Sequence, residues 1–143
     1  VLLRFKGNAR GIIWASQVAI GNENNLKLRI FGAQGGLSWR QEEPNELIFS
    51  PLNQPSRRIT RDSSSVVSEA SLATKVPAGH PEGYLEGFAT IYSEIAHAIF
   101  AARNGEAVDQ NVSFPTAEDG KAGVVFIEAV VRSSNEGSVW VNL

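Results

Sequence analysis

Leu26-Lys27-Leu28-Arg29-Ile30-Phe31-Gly32-Ala33-Gln34-Gly35-Gly36-Leu37-Ser38-Trp39-Arg40-Gln41 decides the fold class. Successive side chains of a strand point to opposite faces, so Leu26, Leu28 and Ile30 share one face while Lys27 and Arg29 share the other. Gly32 to Gly36 turns the chain, and Leu37, Trp39 and Gln41 then alternate with Ser38 and Arg40. Two alternating runs joined by a glycine-rich turn predict a β-hairpin, and the polar partners predict an antiparallel sheet covered on one face. A phosphate-binding loop would need a helix after the glycines, whose amino terminus could meet the anion. Another strand follows instead.

Reading outward, the hairpin extends into a six-strand meander. Leu2 to Lys6 is a short first strand, Gly7-Asn8 a turn, and Gly11 to Ile20 a long β-branched run ending in the turn cluster Gly21-Asn22-Glu23-Asn24-Asn25. Glu46 to Ser50 and Arg57 to Arg61 supply two more strands. Residues 62 to 76 are polar, contain Ser63-Ser64-Ser65, and read as a loop. A helix is expected to open at Pro81-Glu82, since proline suits a first helical position and an acid suits the positive end of the dipole. Tyr84, Phe88, Ile91, Ile95 and Ile99 give its apolar stripe, and Asn104-Gly105 its stop. A second helix follows Pro115, with Thr116 and Asp119 as a capping box and Val124, Ile127 and Val131 as its stripe. Ser138 to Val141 reads as a last strand. Strands followed by helices make an α+β fold: an antiparallel meander sheet, two long helices on one face, and the other face open or dimerising. Residues 1–143 are expected to form a single domain.

Composition bounds the function. The chain has 143 residues, with 13 Lys+Arg against 15 Asp+Glu and a formal net charge of −2, which argues against a nucleic-acid binder. An apolar content of 43% argues against disorder. With no cysteine, a disulfide framework or thiolate metal site is impossible, and a reducing, cytoplasmic setting is expected. No apolar run approaches the ~20 residues of a membrane-spanning helix, so no membrane partner is expected. Two histidines are too few for a zinc centre, and no Gly-x-Ser-x-Gly elbow exists. Arg57, Arg58 and Arg61 could bind phosphate, but the acidic surroundings favour a solvated edge strand. A start at Val1 and the absence of methionine lead us to expect a piece of a longer protein.

One segment carries chemistry: Val76-Pro77-Ala78-Gly79-His80-Pro81-Glu82-Gly83-Tyr84-Leu85-Glu86. Its prolines fix the backbone path and its glycines permit unusual dihedrals directly before a helix. Such a rigid loop can present His80 to a ligand. On residue chemistry alone an equal alternative stands, in which His80 caps the helix or packs beneath the loop.

Gly79-His80-Pro81-Glu82-Gly83-Tyr84-Leu85-Glu86-Gly87-Phe88-Ala89-Thr90-Ile91-Tyr92 resembles the carboxy-terminal domain of the glucose–fructose oxidoreductase / inositol dehydrogenase-like family, Gfo/Idh/MocA. The stretch from Trp14 to Trp39, with Ser16 to Leu26 and Phe31 to Trp39, resembles the same domain, as does Phe114-Pro115-Thr116-Ala117-Glu118-Asp119-Gly120. The resemblance implies a two-domain enzyme. A Rossmann domain would bind NAD or NADP and carry a Glu-Lys-Pro lysine, and an Asp-x-x-x-His motif would supply the proton-transfer histidine. This chain contains neither motif, so it should hold no catalytic residue and no cofactor and be inert alone. The implied whole is a cytoplasmic NAD(P)-dependent oxidoreductase for a sugar, polyol or related hydroxy compound. This chain would be its substrate-side domain, with His80 and Tyr84 contacting substrate and the sheet forming a homodimer. Trp14 and Trp39 could lie on either face of that sheet. The rival expectation is a free-standing, non-catalytic α+β module for dimerisation or ligand binding.

Overall fold

The computed structural model describes residues 1–61 and 68–143. Chain order is β1 (Leu2–Arg4), β2 (Arg10–Ile12), β3 (Lys27–Gly32), β4 (Gly35–Arg40), β5 (Glu46–Pro51), β6 (Arg57–Thr60), α1 (Ser68–Leu72), α2 (Tyr84–Asn104) and α3 (Ala117–Asn135). The α+β class and the antiparallel strands are as the patterning requires. By internal contacts the chain divides into two units, Val1–Gly21 with Pro115–Leu143, and Asn22–Phe114.

In the first unit, β1 and β2 pair as a hairpin with Leu3 opposite Gly11. Gly7 and Asn8 both adopt positive φ, 81° and 68°, as a tight hairpin turn demands. The terminal amine of Val1 donates to Ile13 O at 2.8 Å and Ile13 N returns a bond to Val1 O at 2.9 Å. The second strand, expected over 11–20, spans Arg10–Ile12.

Helix α3 starts as its sequence dictates. Asp119 N donates to Thr116 Oγ1 at 3.3 Å, and Asp119 Oδ2 accepts from Thr116 N at 2.8 Å. Thr116 Oγ1 also donates to the same carboxylate oxygen at 2.8 Å. The Thr116 backbone N–H and then its hydroxyl hold the Asp119 carboxyl below the usual aspartate range. A depressed folded pKa contributes stability above the unfolded value, near 3.9, that is lost as pH falls through the folded one. The Asp119 carboxyl resonance should therefore titrate below pH ~3.9 by NMR, and Thr116→Val should move that midpoint upward. A midpoint insensitive to the substitution would contradict the capping assignment.

The expected final strand over 138–141 is absent. Gly137 and Ser138 both turn left-handed, at φ 84° and 66°, and their N–H groups reach back to Ser134 O and Ser133 O at 3.4 and 2.7 Å. This Schellman closure folds the chain over the last turn of α3. Side chains then hold the segment: Ser133 Oγ donates to Val139 O at 2.7 Å, and the Arg4 guanidinium stacks 3.8 Å from the Trp140 ring centre.

In the second unit β3-β4-β5-β6 form one antiparallel sheet. Its register places Leu28, Trp39, Leu47 and Ile59 in one row and Ile30, Leu37 and Phe49 in the next, all on one face. Trp39 thus belongs to the apolar face, and its indole N–H donates to Pro44 O at 3.1 Å. The opposite face carries Lys27, Arg29, Phe31, Ser38, Ile48 and Arg58. Gly35 is required where β4 meets β5, since a methyl there would sit 2.8 Å from Ser50 O.

The loop expected over 62–76 contains the short helix α1; residues 62–67, with the serine run, lie outside the described residues. Helix α2 begins at Tyr84, three residues later than Pro81, because Gly83 rather than a residue before Pro81 is its cap. It stops at Gly105, which is left-handed at φ 71°. Among the described residues none is fully buried. The α2 stripe is patterned for a cover, yet Tyr84, Phe88, Ile91 and Ile99 remain exposed, and of the stripe Ile95 alone is half-buried.

Candidate functional site

The residues singled out in the sequence sit on the loop that runs into α2. Gly79 bends the chain with φ 82°, a conformation other residues adopt only with strain, and His80 N donates back to Pro77 O at 3.3 Å. His80 is exposed, and its imidazole has no partner among the described residues. It does not cap the helix. Gly83 holds that position, and Glu86 Oε2 accepts from Gly83 N at 2.9 Å. The Gly83 N–H, then the backbone N–H of Glu86 itself and the nearby Arg61 guanidinium, hold the Glu86 carboxyl below the usual glutamate range.

Tyr84 opens the helix with 76% of its surface exposed, its ring 5.0 Å from that of Phe88 and tilted by 57°. It lines an open groove of about 540 Å³ between the Glu42–Glu46 turn and Pro81–Glu86. His80 is not among the groove-lining residues. Five glutamates line the groove: Glu42, Glu43, Glu46, Glu82 and Glu86. Glu43 pairs with Arg40, and Glu46 pairs with Arg58 at 2.9 Å. Glu82 pairs with Arg61 and Glu86 accepts from Gly83 N, so four of the five carboxylates already have partners.

Arg61 escaped the reading of the basic cluster as a solvated edge. Arg57 and Arg58 do lie on the exposed edge, but Arg61 leaves the strand and turns inward. It pairs with Glu82 at 2.7 Å, their side chains only 16% and 8% exposed. A partner 21 residues away leaves no local signal; an arginine just past a strand's end was the sole hint.

Gly32 to Gly36 closes the β3–β4 hairpin, the amino terminus of α2 carries Glu82 and Glu86, and that of α3 is filled by Thr116 and Asp119. A pyrophosphate needs unpaired N–H groups free of neighbouring carboxylates. Among the described residues no three metal-ligating side chains converge, and no helix is long and apolar enough to cross a membrane.

The model of an oxidoreductase family's C-terminal alpha/beta domain, GFO_IDH_MocA_C, matches residues 1–143. The chain is 32% identical over 142 residues to the uncharacterized oxidoreductase YfiI of Bacillus subtilis (strain 168), covering 99% of this chain and 36% of that protein. An oxidoreductase from Sinorhizobium meliloti superposes with a TM-score of 0.92 at 45% identity, covering 99% of this chain and 40% of that one. An inositol dehydrogenase homolog from Azotobacter vinelandii, solved with NADH and myo-inositol, superposes with a TM-score of 0.94 at 33% identity, covering 99% and 38%. The chain therefore spans well under half the length of these relatives.

Proposed function

Since the whole chain belongs to the Gfo/Idh/MocA oxidoreductase family through that family's C-terminal domain, we propose that residues 1–143 are the substrate-side and dimerisation domain of a cytoplasmic NAD(P)-dependent dehydrogenase. Its substrate is a polyol or sugar of the inositol class. The observation that carries this reading is the likeness to a relative solved with both NADH and myo-inositol. Cofactor would supply the hydride chemistry from a Rossmann domain outside these residues, because neither long helix here has an amino terminus fit for a pyrophosphate. Alone, residues 1–143 hold no cofactor and turn over no substrate.

Within this domain His80 and Tyr84 contact the substrate. An imidazole both donates and accepts hydrogen bonds, and a phenol does the same, which matches a ring of hydroxyls. His80 arrives on a backbone stiffened by Pro77 and Pro81, so little entropy is lost when it binds.

Steady-state kinetics of the full-length enzyme with myo-inositol test the assignment. Loss of one neutral hydrogen bond costs about 0.5–1.5 kcal/mol, so His80→Ala should lower kcat/KM roughly three- to tenfold. The apparent affinity for NAD should stay within twofold. An unchanged kcat/KM would remove His80 from the site, and an equal loss of NAD affinity would point to general damage.

A further inference from the structure

We propose that Arg61 is a positioning residue that sets where His80 meets the substrate; the inference rests on the assignment of His80 to the substrate site. The Arg61 guanidinium binds nearly the whole loop before α2. Its Nη2 donates to His80 O at 2.7 Å and to Pro77 O at 3.4 Å, while Nη1 meets Val76 O and, at 2.7 Å, Glu82 Oε2. Its Nε donates to Asn45 Oδ1 at 2.8 Å, and its backbone N–H donates to Asn45 O at 3.0 Å, which ties the loop to the β4–β5 turn. Glu82 completes the ring, accepting from Lys75 N at 2.8 Å and Val76 N at 3.0 Å.

The geometry needs arginine. A planar fork of five N–H donors can serve three carbonyls, an amide and a carboxylate at once, whereas a lysine ammonium offers three donors from a single point. Burial adds to this, for the pair is the most enclosed of the three ion pairs found among the described residues. A loop needing only stability could close on itself through Glu82 and the two amides. Arg61 adds a bond to the carbonyl of His80 itself, the residue whose imidazole has no other restraint. Removing it frees the His80 backbone, and ordering that backbone again falls on the substrate complex.

The test is a double-mutant cycle in the full-length enzyme, with NAD saturating and myo-inositol varied. Arg61→Gln should raise KM for myo-inositol about five- to tenfold and leave kcat and the KM for NAD within twofold. Combined with His80→Ala it should add nothing further, because both act through one side chain. Arg61→Lys should not rescue. Glu82→Gln removes the charge and one of the two acceptor oxygens that the Lys75 and Val76 amides use; it should give the same KM effect in smaller measure and carries the test if Arg61→Gln does not fold. Hydrogen exchange of the Lys75 and Val76 amides should quicken in both variants.

If His80→Ala raises KM while Arg61→Gln and Glu82→Gln do not, the clamp is refuted and the site assignment stands. Should the Arg61 and His80 effects multiply in full, or should kcat fall with KM unmoved, Arg61 is structural only. If His80→Ala leaves kcat/KM for myo-inositol unchanged, the site assignment falls and takes the clamp with it.

Discussion

Residues 1–143 produced alone should bind a hydrophobic dye such as anilinonaphthalene sulfonate and unfold on heating without a sharp transition, whereas the full-length protein should melt cooperatively and bind little dye. The reason lies in what the described residues leave uncovered. Ile12, Trp14, Val18 and Ile20 run along one segment and are each more than three-quarters exposed. Leu28 and Ile30 at the rim of the β3–β6 sheet are exposed by more than half, as is Ile99 on the stripe of α2. Fixing the backbone costs about 1–2 kcal/mol per residue, and the main offset is burial at about 25 cal/mol per Å² of apolar surface. A chain with no fully buried side chain among its described residues forgoes much of that offset. Secondary structure would persist, because the hairpins and helices satisfy their own backbone groups, so far-UV circular dichroism should remain strong while near-UV signals fade. A sharp melt with no dye binding would show that these side chains cover one another in solution, and would overturn the expectation.

How legible all this was in the sequence depended on the range of the interaction. The β3–β4 hairpin could be read because alternation and the glycine turn act over a few residues, and the Thr116–Asp119 box and the Gly105 stop were legible for the same reason. The second strand was read over Gly11 to Ile20 from its β-branched composition, and the structure has it over Arg10–Ile12, because composition marks strand-forming residues but not the extent of their pairing. The last strand failed where Gly137 was read as ending the helix but not as folding the chain back onto it. Trp39 could not be assigned to a face until pairing with Leu28 and Leu47 set the register. Of the proposed site residues, His80 stood out because proline, glycine and a titratable group coincide in one short segment, and Tyr84 entered only through the family resemblance. Arg61 did not, because its meaning comes from carbonyls and a carboxylate that only the folded loop brings to it.

Ile48→Lys should convert the full-length protein from dimer to monomer, with sedimentation showing the change at micromolar concentration. The proposed dimer joins the mixed faces of two β3–β6 sheets about a two-fold axis. On that face Ile48 stands on β5 in register with Ser38 and Arg58, and Arg29 continues the row. It is only 36% exposed, and Phe31, 72% exposed, lies under the Arg29 guanidinium at 4.8 Å. Apolar side chains set among paired charges such as Arg58–Glu46 make a surface that a copy of itself can match. Two-fold symmetry counts every substitution twice. Ile48 is already about two-thirds covered in the single chain, so withdrawing it from the interface costs about 0.5–1 kcal/mol per copy and about 1–2 kcal/mol for the pair, which raises the dissociation constant roughly five- to thirtyfold. Added lysines beside Arg29 and Arg58 deepen the effect through like-charge repulsion, and they make it larger at low salt. Ile48→Val, which keeps the shape, should leave the dimer intact. Ile48 already touches solvent in the single chain, so the lysine variant should fold and keep its helical circular dichroism. A dimer that survives Ile48→Lys would mean that the mixed face is solvated and that the copies meet elsewhere.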